Sequence, residues 1–190
     1  MSSTYNARKI LIESLPILAV VLVLALLTGT LLNSQLTHIV PYFPFILLII
    51  PAFINVSGDL AGVVGARVTS HLFTGQLDKN FRPFRLLASN LVGVVLVALT
   101  AYAFLALCVI GISYLLLHTL LPQYILPFFF AILGAGVLAT VCTSLLGLLG
   151  ARIVYRSGRD PDSIIPPLTT TVGDLLGILF VTLALLAIVV

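Results

Sequence analysis

The chain has 190 residues, of which 61% are hydrophobic and only 8% charged, whereas a soluble domain carries about 25% charged residues. A mean hydropathy of +1.26 excludes water as its main solvent. The net charge of +3 is scattered among apolar runs instead of clustered on a polar face, which argues against nucleic acid as a partner.

A bilayer-spanning helix needs roughly 20 mostly apolar residues, so the length accommodates about five or six spans, very short loops and no sizeable soluble domain. The expected fold is all-α: one polytopic membrane helix bundle over residues 1–190. The first span is expected at about 15–32. It is too long for a signal-peptide core and lacks a small-residue cleavage site. A polar break at 33–38, without net charge, reads as a short loop. The second apolar stretch, about 40–73, is too long for one upright helix. Pro51 removes a backbone donor inside it, and Asn55, Ser57, Gly58 and Asp59 follow. A break between Pro51 and Gly58 is therefore expected. Further spans are expected at about 86–118, 124–155 and 168–190, giving five membrane segments. Cys108 and Cys142 fall in apolar runs with no metal or redox spacing and read as small core residues.

Eight of the nine Lys and Arg residues fall in three places: Arg8 and Lys9; Lys79, Arg82 and Arg85; Arg152, Arg156 and Arg159. These are alternate connections. The positive-inside rule then puts the N-terminus, the second-to-third loop and the fourth-to-fifth loop in the cytoplasm, and the C-terminus outside. Five spans require termini on opposite sides, so charge and hydropathy agree. With no internal repeat in the chain, a symmetric pore needs a second chain.

Four of the six acidic residues, Glu13, Asp78, Asp160 and Asp162, lie at membrane edges or in loops. Asp59 and Asp174 lie inside spans, where an ionisable group costs at least about 2.5–3.5 kcal/mol and marks a functional site by default. For Asp59 the competing structural role is an ion pair with Arg67, two turns on along the helix. For Asp174 it is a protonated carboxyl bonded to neighbouring backbone. Thr169, Thr170, Thr171, Gly173 and Gly177 surround Asp174 with hydroxyls and with room for close approach. Hard cations such as magnesium take oxygen ligands and dehydrate reluctantly, so one or two carboxylates usually hold them through water. Gly58 with Gly62, and Gly173 with Gly177, form GxxxG pairs that also serve simple helix packing. His38, His71 and His118 sit at membrane edges with nothing to pair them as metal ligands.

The run from Pro51 through Asn55, Gly58-Asp59, Gly62 and Arg67 to Gly75 resembles the signature of the membrane domain of MgtE-type magnesium transporters, with the archaeal and eukaryotic solute-carrier branch most similar. The run Pro167-Leu-Thr-Thr-Thr-Val-Gly-Asp174 resembles the second signature of that family, a Thr-rich stretch leading to an aspartate on the fifth helix. The resemblance implies a dimer with its pore between subunits and a hydrated magnesium ion held by fifth-helix aspartates, a position Asp174 occupies. Two departures stand out. Asp59 replaces the asparagine usual after the glycine, and with only about 14 residues before the first span the cytoplasmic regulatory domains of bacterial members are expected to be absent.

The expected function is transport of a divalent cation, with Mg2+ first, across the membrane of the cell. The expected ion ligands are Asp174, Asp59, Asn55, Thr170, Thr171 and Gly173. Pro51, Gly58, Gly62, Arg67 and Gly177 are structural or gating positions. The expected partners are lipid, the transported cation and a second copy or a related half-transporter, with no resident cofactor. One alternative is an intramembrane aspartyl protease using Gly58-Asp59 and Gly173-Asp174, although the first glycine of the usual GxGD form is missing. Another is a non-transporting structural subunit.

Overall fold

The computed structural model describes residues 7–189 except 79, 117, 119 and 158–163. Lys79, Arg159, Asp160 and Asp162 lie outside the described residues, as do the side chains of Arg8, Lys9 and Glu13. The described chain is helical in five long segments: α1 (Ala7–Ile39), α2 (Ile46–Phe73), α3 (Phe84–Gly111), α4 (Pro122–Ser157) and α5 (Ile165–Val189), with a π-helical turn, Ile112–Leu116, ending α3. All five contain apolar stretches long enough to cross a membrane. At 1.5 Å per residue, the 28 residues of α2 extend about 42 Å, more than the roughly 30 Å hydrocarbon core.

Two expectations about helix boundaries are corrected. Residues 33–38 are not a loop, because α1 runs on to Ile39. Their polarity is absorbed within the helix, where the Ser34 hydroxyl donates to the Leu31 carbonyl (2.8 Å) and that of Thr37 to Ser34 (3.0 Å). The chain turns instead at residues 40–45, where Pro41 and Pro44 supply the punctuation. This connection is clamped down by Phe43, fully buried, whose ring packs on Tyr124 and Phe128 of α4 with both centroids 5.8 Å away.

The second correction concerns α2, which is continuous through Pro51 and Gly58. Pro51 stands near the start of the helix, so the hydrogen bond it forfeits falls on the Leu47 carbonyl in the first turn, and no break follows. The excess length of the apolar stretch is accounted for by the turn before the helix. Cys108 is also placed differently from expectation, on the outer surface of α3.

The second helix is the hub, packing on α3, α4 and α5, while α4 also packs on α3 and α5, and α1 lies against α5. Its buried residues include Phe53, Ser57, Gly58, Ala61, Val64, Gly65 and Val68. The outer surfaces of α1 and α3 expose large apolar side chains such as Leu26, Val92, Leu96 and Phe104, as a lipid-facing surface requires.

Inside the bundle, Tyr102 of α3 is fully buried. Its ring lies 4.9 Å from that of Phe53, and its hydroxyl donates to the Phe53 carbonyl (3.1 Å). Gly136 of α4 makes room for this ring, since a Cβ there would fall onto the ring atoms of Tyr102. Gly136→Ala is expected to destabilise the fold by about 1–3 kcal/mol through overpacking. Tyr102→Phe, which removes the hydrogen bond to the Phe53 carbonyl, should cost only about 1 kcal/mol. Thermal unfolding of the two purified variants in mild detergent tests the ranking.

Candidate ion-binding site

The site is built where α2 and α5 cross. Lipid supplies no hydrophobic force between helices, so close contact of small residues holds them together. Gly58 and Gly173 bring the two backbones into direct contact: a Cβ on Gly173 would stand 2.7 Å from the Gly58 Cα and 2.8 Å from its amide nitrogen. One on Gly58 would stand 2.9 Å from the Thr170 Cα. The seam continues at Gly177, whose Cβ would meet Ile54 at 3.2 Å. The Ser57 hydroxyl locks it, reaching the Gly173 carbonyl at 3.1 Å and the Ile54 carbonyl of its own helix at 3.0 Å.

Gly58 and Gly173 are each followed by an aspartate, so their contact sets Asp59 and Asp174 beside the same crossing. Asp59, at mid-length in α2, is exposed, and its Oδ2 accepts a hydrogen bond from the Asn55 amide one turn earlier (3.1 Å). Asp174 is partly covered. Arg67 is exposed further along α2 and makes no ion pair with Asp59; the Asn55 amide is the partner of that carboxylate.

The threonines divide into two groups. The hydroxyls of Thr169, Thr170 and Thr171 all turn back to carbonyls one turn earlier, on Ile165, Pro166 and Pro167, at 2.8–2.9 Å. Thr170 remains partly accessible beside Gly58, whereas Thr169 and Thr171 are buried. Pro166 and Pro167 fall in the first turn of α5, where their missing N–H groups forfeit nothing. Gly173 contributes close approach, its carbonyl being engaged by Ser57. Gly62 faces the Thr169 hydroxyl, and a Cβ there would lie in ordinary contact with it at 3.6 Å. Pro51 is exposed on α2.

The structure thus brings Asn55, Asp59, Thr170 and Asp174 to one crossing and sets Thr171 and Arg67 apart from it. Among the described residues no three His, Cys, Asp or Glu side chains cluster as a metal cage. His71 is engaged with Gln76, Nδ1 to Oε1 at 2.7 Å. A second glycine seam escaped the sequence: Gly65 of α2 faces Ile165 of α5, and a Cβ on Gly147 of α4 would stand 3.1 Å from the Ala61 carbonyl oxygen and 3.3 Å from the Thr169 methyl. It joins α2, α4 and α5 and so supports the crossing from one side.

Five apolar spans, two of them carrying an aspartate beside the α2–α5 crossing, define a multi-pass integral membrane protein with a polar site in its transmembrane region. Residues 50–184 match the MgtE family, described as divalent cation transporters, and the chain belongs to that family. It is also similar to solute carrier family 41 member 3 of Rattus norvegicus, 28% identical over 155 residues covering 75% of this chain and 30% of the relative. The Mus musculus protein of the same name is 28% identical over 152 residues, 73% of this chain and 28% of the relative. The chain therefore spans less than a third of the length of these relatives. Membership in a transporter family sets aside the aspartyl protease alternative.

Gly173→Ala pushes a methyl group into backbone, which cannot rotate away, so a loss of about 2 kcal/mol is expected from overpacking. Gly93→Ala, where a Cβ meets nothing within 4 Å, is the matched control. Thermal unfolding in detergent should separate the two.

Proposed function

We propose that two copies of this chain form a path for a hydrated divalent cation, Mg2+ foremost, with Asp174 and Asp59 of each copy lining it. The observation that carries this reading is the juxtaposition of Asp59 and Asp174 at the glycine crossing. Two carboxylates in a low-dielectric region repel, and a divalent cation between them turns that repulsion into attraction. Magnesium keeps several of its waters when bound, so it needs charge and hydrogen-bond acceptors more than a closed cage. Asp174 and Asp59 supply the charge. The Thr170 hydroxyl, which spends its proton on Pro166, keeps lone pairs for a water of the ion. Asn55 holds the Asp59 carboxylate in place.

A location between copies is supported by the free face of α2. Ala52, Asn55, Asp59, Val63, Ala66 and Ser70 are all exposed at intervals of three and four residues, one stripe along the helix. The stripe is small and polar, unlike the Leu- and Phe-rich outer faces of α1 and α3, and suits a partner and water better than acyl chains. The N-terminus is assigned to the cytoplasm, because Arg82, Arg85, Arg152 and Arg156 share one end of the bundle.

Reconstituted in liposomes with an internal magnesium dye, the wild-type chain is expected to admit Mg2+. Asp174→Ala should lower the rate about tenfold or more, the kinetic equivalent of 1.4 kcal/mol, with insertion unchanged. Asp59→Asn, which retains a polar partner for Asn55, should lose less. Normal transport by Asp174→Ala would remove that residue from the path.

Val63→Cys, at the centre of the free stripe, should form a disulfide between two copies under mild oxidation in a Cys108→Ser, Cys142→Ser background, read on a non-reducing gel. A chain that transports while remaining monomeric by light scattering would overturn the between-subunit path.

A further inference from the structure

Between α4 and α5, away from the aspartates, lies an open groove of about 290 Å³. Leu149, Gly150 and Ile153 form one wall, and Ile164, Leu168 and Val172 the other. Gly150 leaves the floor empty, since a Cβ there would meet nothing within 4 Å. The groove begins at Leu146, and the register 146, 149, 150, 153 places Arg156 next on the same face of α4. Arg156 is exposed, and no acidic side chain among the described residues pairs with it. From Leu146 to Arg156 is about 15 Å along the helix, the depth of one leaflet of a hydrocarbon core about 30 Å thick.

The same end of the bundle is basic. Arg82 and Arg85 are exposed there, and Arg152 lies over the Phe81 ring, 5.3 Å from its centroid. The described acidic residue of this end, Asp78, is occupied, its Oδ1 accepting from the amides of Asn80 (2.8 Å) and Arg82 (2.7 Å).

We propose that this groove is a binding site for an anionic phospholipid of the surrounding bilayer, one acyl chain lying between α4 and α5 and the phosphate held by Arg156. The groove's volume of about 290 Å³ cannot enclose a helix, whose diameter with side chains is about 10–12 Å, and its lining suits an acyl chain. A guanidinium at its mouth matches a phosphate in charge and in fork geometry, and a basic end of the bundle favours anionic over zwitterionic lipid. The groove also borders Gly147 and Thr169, where α2, α4 and α5 meet, so a lipid seated here leans on the segment of α5 that leads to Asp174. The site does not depend on the transport reading, because it is defined by binding alone.

The experiment is native mass spectrometry of the chain purified in mild detergent, with equal amounts of dioleoyl-phosphatidylglycerol and dioleoyl-phosphatidylcholine added. Wild type is expected to retain the anionic lipid at least about fivefold over the zwitterionic one. Arg156→Gln should bring the ratio close to one while total bound lipid falls little. Gly150→Leu fills the groove and should lower retention of both lipids, whereas Gly93→Leu on α3 should change neither. Equal retention of the two lipids by wild type overturns the proposal, as does an unchanged ratio in Arg156→Gln. A disulfide between copies carrying Ile153→Cys overturns it too, since a second copy then occupies the groove. The wild-type ratio alone decides the matter if a variant fails to fold.

Discussion

Direct contact between the backbones of α2 and α5 at Gly58 and Gly173 is the constraint on which the rest of the molecule depends. In hydrocarbon, helices gain nothing from hiding apolar surface from one another, and their association rests on packing and on a few hydrogen bonds. With no Cβ on either residue the two backbones meet directly, for a Cβ on Gly173 would stand only 2.7–2.8 Å from the Gly58 backbone. That contact also lets the Ser57 hydroxyl reach a carbonyl across the gap. The second seam, through Gly65 and Gly147, sets α4 against the same pair. Tyr102, seated on Gly136 and bonded to the Phe53 carbonyl, ties α3 to the turn of α2 just before the crossing. The aspartates inherit their placement from these contacts.

Polar groups inside the bundle are handled in two ways. Most hydroxyls are satisfied within their own helix: Thr69, Thr143, Thr169 and Thr182 all donate to a carbonyl four residues back, which adds no binding capacity. The carboxylates of Asp59 and Asp174 have no such local solution. Asp59 gains one amide hydrogen bond from Asn55, far short of compensating a charge at that depth. On the proposed function, two carboxylates beside several neutral oxygens suit a cation that keeps its water better than one that must be stripped bare.

Much of this was legible in the sequence, for identifiable reasons. A span of twenty apolar residues is a strong signal because the bilayer sets its length, so the number of spans and the position of Asp59 and Asp174 within their helices could be read directly. The ends of α1 and the integrity of α2 were misread, because polarity was taken as a helix breaker. Ser34 and Thr37 bond back to their own helix, and a proline in an early turn removes one hydrogen bond without ending a helix that tertiary contacts hold. An ion pair with Arg67 was the competing role that spacing allowed for Asp59, while Asn55, half that distance away in sequence, makes the contact. Tyr102 with Gly136, and Gly65 with Gly147, were invisible for a different reason. Each is a fit between segments distant in sequence, and no local pattern records which side chain a given glycine makes room for.

The exposed carboxylate of Asp59 has a consequence for how the protein lives in a cell. Asp59 and Asn55 are exposed at mid-helix; a carboxylate facing acyl chains there costs about 2.5–3.5 kcal/mol at the membrane centre, and the proposed facing copy, with water between the two, would relieve that cost. In the proposed pair, the carboxylates that would serve the cation are the same ones that make a solitary copy costly to keep in lipid.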